Sequence, residues 1–143
     1  MIYLDTSFLT PMFRVEPSSV GVANFIARQA SGTLAVSKWA CVEFASVVSR
    51  SVRMGGLSAD AGRELIEIFD ATIAASFAVL LPNSYDYDLA GDYVANFATH
   101  LRAPDALHLA VAHNNGMEFV ATLDEGMLAA AKKLKIPARR AIR

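Results

Sequence analysis

Ile2-Tyr3-Leu4-Asp5 opens the chain, and Phe119-Val120-Ala121-Thr122-Leu123-Asp124 repeats its pattern near the other end. Each is a short apolar run that stops at an aspartate. Runs this short, apolar on both faces and bounded by polar residues, read as strands buried on both sides. Leu34-Ala35-Val36 and Phe77 to Leu81, stopped by Pro82, are two more of the kind, and Ala138 to Ile142 is a candidate edge strand.

Helical stretches fill the spaces between these runs. Ser18 or Ser19 caps a helix to about Ala30, with Val22, Phe25 and Ile26 on one face. Gly32 breaks it. Ser37 is a plausible cap for a helix from Lys38 to about Met54, closed by Gly55-Gly56. Ser58 starts the next, with Leu65, Ile68, Phe69 and Ile73 at helical spacing. A helix from about Asp86 to His100 turns Leu89, Tyr93, Val94 and Phe97 inward. Pro104 suits the first turn of a helix that runs to Asn115-Gly116, and Gly126 to Lys135 forms the last. Pro11 and Pro17 mark a turn-rich stretch. Strands alternating with helices imply an α/β fold, a three-layer α/β/α sandwich around a parallel sheet. Residues 1–143 read as a single domain.

Composition narrows the class. Hydrophobic residues make up 54% and charged residues 19%, a globular balance. Cys41 is the only cysteine, so it reads as core packing in a reducing compartment. The longest nearly uncharged run, Ala71 to Leu81, is too short to span a bilayer. No signal peptide is legible, so a cytoplasmic protein with no membrane association is expected. Net charge is −1, but it is uneven. Lys132, Lys133, Lys135, Arg139, Arg140 and Arg143 supply six of 13 basic residues, leaving 7 basic against 14 acidic groups in residues 1–131. The basic tail either meets phosphate or is a solvated helix face.

In open parallel sheets, sites form at the carboxyl ends of strands. Asp5 and Asp124 stand there. Glu43 and Asp105 sit in otherwise apolar helices, where a carboxylate is unfavourable unless paired, protonated or bound to a cation. Asp105 suits a first helical turn; Glu43 has no such explanation. Taken together the four acids suggest an oxygen cluster for a hard divalent cation. Thr6, Ser7 and Thr122 offer hydroxyls to orient it, or simply cap turns. His108 is a general-base candidate or, better, a polar residue held beside Asp105 one helical turn away. Arg102 either meets phosphate or pairs with an acid, and Lys132 is a second RNA-contact candidate. Trp39 and Phe44 either stack on a base or pack. Asp86 and Asp88 hint at a calcium loop, but Ala90 and Phe97 occupy positions where ligands are required, so both acids read as the solvated start of a helix.

These motifs resemble the PIN domains, and among them the VapC toxins of bacterial toxin–antitoxin pairs. Leu4-Asp5-Thr6-Ser7 is similar to the opening motif. Glu43 resembles the second acid. Arg102-Ala103-Pro104-Asp105-Ala106-Leu107-His108-Leu109-Ala110 resembles the third motif, and Thr122-Leu123-Asp124 with Met127-Leu128-Ala129-Ala130-Ala131 the fourth. One position departs: Lys135 stands where the family often has glycine. The resemblance implies a Mg²⁺- or Mn²⁺-dependent endoribonuclease, a hydrolase with Asp5, Glu43, Asp105 and Asp124 as metal-binding catalytic residues. Metal-activated water would cut RNA to leave a 5′-phosphate and a 3′-hydroxyl. It also implies a cognate VapB-like antitoxin, whose basic side chain can block the pocket, and a homodimer. The alternative is a non-catalytic RNA- or protein-binding module on the same fold. A dehalogenase-type phosphoryl-transfer enzyme is disfavoured, because Ser7 stands where its second aspartate belongs. A receiver domain is disfavoured by the lack of adjacent acids.

Overall fold

The structure is a computed structural model and describes residues 1–142. Five strands form one sheet in the order β3-β2-β1-β4-β5, and every neighbouring pair is parallel. They are β1 (Ile2–Leu4), β2 (Leu34–Ser37), β3 (Ala78–Leu80), β4 (Phe119–Ala121) and β5 (Ala138–Arg139). The two runs that end in aspartate are therefore the central pair, in register from Ile2↔Phe119 to Leu4↔Ala121.

The helices are α1 (Thr6–Leu9), α2 (Ser19–Ala27), α3 (Trp39–Arg53), α4 (Ala59–Ser76), α5 (Ser84–Ala95), α6 (Ala103–Asn114) and α7 (Glu125–Leu134). They cover both faces of the sheet, as expected. Strand periodicity divides the core. Ile2 and Leu4 point to one side with Leu34, Val36, Phe119 and Ala121, and meet Phe8, Val22, Phe44, Phe69 and Ile73. Tyr3 and Val120 point to the other, against Leu109, Val111, Met127 and Ala131. Phe44 stacks on Phe69 at 3.9 Å between centroids, so it is core and unavailable to a base. Cys41 is buried, as expected. Gly62 lets α4 approach α3: a Cβ there would stand 2.8 Å from Val52 Cγ2.

Several boundaries differ from the sequence reading, for local reasons. The turn-rich stretch after β1 is helical: α1 is followed by a 3₁₀ turn at Thr10–Met12, because Asp5 caps the chain immediately after the strand. Ser37 ends β2 instead of capping α3, and Lys38 holds the cap position without a side-chain bond. Helix α5 stops at Ala95, and a separate 3₁₀ turn spans Phe97–Thr99. Phe97 therefore points outward, 85% exposed, and Ile68 and Val94 are also exposed. Asp86 is fully buried, contrary to the reading of a solvated helix start. It completes a capping box with Asn83 and accepts from Asn114 Nδ2 at 2.8 Å. Lys135 ends α7 in the left-handed region at φ 58°, the conformation that favours the family's glycine. Arg143 of the basic tail lies outside the described residues.

Candidate functional site

The carboxyl ends of β1 and β4 open onto a cleft of about 480 Å³. All four predicted acids line it: Asp5 from the end of β1, Glu43 from α3, Asp105 from α6 and Asp124 from the start of α7. Thr6, Ser7 and His108 line it too, with Trp39, Val42 and Val47 as an apolar wall. Thr122 is buried behind Asp5. Of the RNA-contact candidates, Arg102 is exposed and sits beside Asp105, Nε to Oδ2 3.5 Å. Lys132 is exposed on α7 and does not line the cleft.

The strand-edge wall is a closed hydrogen-bond knot. Ser7 Oγ reaches both oxygens of Asp5, each at 2.9 Å. Phe8 N–H donates to Oδ1 at 2.9 Å, and Thr122 Oγ1 donates to Oδ2 at 2.8 Å. Leu123 N–H donates to Ser7 Oγ, and Asp124 N–H donates to Thr122 Oγ1. Asp124 in turn caps α7, accepting from Met127 N–H at 2.7 Å. Burial raises the Asp5 pKa above the ordinary carboxylate range, although the His108 charge and these donors pull against it.

The helical wall is built differently. Glu43 Oε2 accepts from Thr6 Oγ1 at 2.6 Å and makes a short contact with His108 Nε2. Burial alone would raise the Glu43 pKa, but the bond and charge of His108 outweigh it and the pKa falls. The reverse holds for His108: burial opposes its charge, Glu43 restores it, and its pKa rises. His108 was expected beside Asp105; it serves Glu43 instead, and this pairing is what lets Glu43 sit in an apolar helix. Its other nitrogen, Nδ1, lies 2.7 Å from the Tyr3 hydroxyl. Asp105 is held above its usual range by burial and by the negative charge of Asp124, with Arg102 pulling the other way.

The sequence reading missed Tyr3 as part of the site. The available signal was a tyrosine inside a fully buried strand, whose hydroxyl needs a partner.

The expected metal chemistry is corrected by this geometry. Among the described residues, no group of three or more His, Cys, Asp or Glu side chains is arranged to hold a metal ion. The hydrogen bonds supply a physical reason. Both oxygens of Asp5, Oε2 of Glu43 and Oδ1 of Asp124 are already engaged by protein donors. The acids share a cleft without presenting a convergent set of oxygens. A Mg²⁺ or Mn²⁺ cofactor, metal-activated water and the reading as a metal-dependent endoribonuclease or hydrolase are not supported.

A family model described as the PIN domain matches residues 2–133, so the chain belongs to that family. No curated protein sequence matches it. Among solved structures, FitAcB from Neisseria gonorrhoeae is similar with a TM-score of 0.76 and 20% identity, over 99% of this chain and 98% of that one. VapC20 from Mycobacterium tuberculosis, described as a sarcin-ricin loop cleaving toxin, gives a TM-score of 0.71 and 17% identity over 91% and 95%. VapBC2 from Rickettsia felis, bound to a DNA fragment from its promoter, gives 0.67 and 15% over 97% and 98%. These likenesses establish the fold. No described helix is long and apolar enough to cross a membrane.

Proposed function

We propose that this chain is a non-catalytic PIN-fold binding module, whose acidic cleft receives a basic side chain from a polypeptide partner of the antitoxin kind. The observation that carries this reading is the pairing of four carboxylates with an apolar wall of Trp39, Val42 and Val47. Arg102, at the rim, is the cation set beside them. A pocket of this charge repels the phosphates of RNA, so of the two partners the fold could take, protein is favoured. It attracts an arginine, whose planar fork matches a carboxylate and whose stem suits an apolar wall. The solved complexes of similar fold support a partner of this kind. We also infer a second copy as a partner, because α5 and the turn after it expose Tyr87, Val94 and Phe97.

The test is fluorescence anisotropy with a labelled peptide carrying one arginine among apolar residues, beside the same peptide with citrulline. Citrulline keeps the shape and removes the charge. The arginine peptide is expected to bind at least about tenfold more tightly, a difference of about 1.4 kcal/mol. Asp105→Asn should erase most of that difference. Equal affinity for both peptides would overturn the reading.

A further inference from the structure

A single buried line of side chains runs from the sheet into the cleft. Tyr3 is fully buried on β1, His108 is 1% exposed on α6, and Glu43 on α3 stands at the cleft wall. Helix α3 packs into the core on one face of the sheet and α6 into the core on the other, so the line also ties the two faces to one another. Its geometry is restrictive. Thr6 Oγ1 spends its hydrogen on Glu43 Oε2, and so has none for His108 Nε2, 3.2 Å away. His108 Nε2 must therefore carry the hydrogen that meets Glu43. Nδ1 is left to the Tyr3 hydroxyl at 2.7 Å, with the two rings edge to face at 5.7 Å. When Nδ1 is bare, the phenol donates to it. When Nδ1 carries a hydrogen, the phenol accepts and needs an outlet of its own. Ser37 Oγ, buried beside the phenol without a hydrogen-bond partner, is placed to provide one. Both contacts on Glu43 fall on Oε2, which leaves Oε1 as its acceptor for a ligand.

We propose that Tyr3 and His108 are positioning residues for the cleft: Tyr3 locks the His108 ring, and the locked ring fixes Glu43 with Oε1 turned to the incoming cation. This deepens the binding reading above and rests on it for its ligand. A ring freed at Nδ1 can rotate, and each rotation takes the donor away from Glu43. The carboxylate would then share its oxygens among several orientations, and a fork-shaped cation would lose a fixed acceptor.

The test uses full-length protein with ¹⁵N-labelled histidine, comparing wild type, Tyr3→Phe and His108→Gln. The probe is N-acetyl-arginine methylamide, followed by NMR titration. Tyr3→Phe removes one oxygen and keeps the ring, so it preserves the packing. In wild type the His108 Nε2–H signal is expected to be protected from solvent exchange. Tyr3→Phe should shift that signal, speed its exchange and weaken the probe roughly fivefold. His108→Gln keeps an N–H donor within reach of Glu43 and should bind the probe more tightly than Tyr3→Phe. A folded Tyr3→Phe variant with an unchanged ring signal and unchanged affinity would overturn the proposal. If wild type ignores the probe while the ring signal still responds to Tyr3→Phe, the ring is locked as proposed and the binding reading is what fails.

Discussion

The two walls of the cleft carry the same number of acids and use them in opposite ways. On the strand edge, Asp5 accepts on both oxygens from Ser7, Phe8 and Thr122, and Asp124 caps a helix. Those carboxylates hold the chain together where β1 and β4 end. On the helical wall, Glu43 makes its hydrogen bonds through Oε2 and keeps Oε1 for a ligand, and Asp105 has a single exposed arginine nearby. Those carboxylates keep accepting capacity. Carboxylates at one site thus divide into scaffold and receptor, and what divides them is where their donors come from: Asp5 and Asp124 answer backbone amides that shape the chain, whereas Glu43 meets only side chains, on one oxygen, and Asp105 only Arg102.

The comparison breaks most readily at Asp5. Asp5→Ala should strand the Phe8 amide and the Thr122 and Ser7 hydroxyls in a buried place. A loss of about 3 kcal/mol in urea unfolding is expected, on the scale of a buried network opened on one side. Asp105→Asn, on the other wall, should change stability by less than about 0.5 kcal/mol. Equal losses at the two positions would erase the distinction between the walls.

A smaller effect follows from pH. The folded His108 pKa lies above its unfolded value, so its contribution is complete below about 6.5 and fades as pH rises through the folded value. Glu43 is shifted down, so its contribution is complete above about 4.3 and fades as pH falls. The pair therefore stabilises most between those limits. Asp5, shifted up by burial, adds a loss of stability in the same direction as pH rises through its folded value. Urea midpoints at pH 6 and pH 9 should show wild type losing on the order of 1 kcal/mol more than His108→Gln. An identical loss in the variant would detach His108 from the pair.

Much of this architecture is legible in the sequence. Short apolar runs ending at Asp5 and Asp124 mark the central strands, because a strand covered on both faces has no polar side to show. Strand ends and apolar helix faces single out Asp5, Glu43, Asp105 and Asp124, and the family resemblance is what gathers them into one pocket; all four line the cleft. What sequence could not supply was the use of each oxygen. Whether Asp5 is a free ligand or a satisfied acceptor depends on Ser7 and Thr122 closing over it, and Thr122 lies 117 residues away in the chain. His108 illustrates the same limit. Helical spacing places it near Asp105, yet the ring turns across the helix pair to Glu43. The inward reading of Phe97 failed because one continuous helical periodicity was carried past Ala95, where α5 ends. The burial of Asp86 was missed because its partner, Asn114, comes from another helix.

The central claim is that the cleft receives a cationic group and does not assemble a metal centre. Mn²⁺ titration of the purified chain by calorimetry, with RNA incubated in the same buffer and Asp5→Asn run in parallel, tests it most directly. The account predicts no saturable Mn²⁺ site of unit stoichiometry and intact RNA, with the arginine peptide still bound in the absence of metal. One Mn²⁺ or more held per chain, with RNA cut only when metal is present and both properties lost in Asp5→Asn, would contradict it.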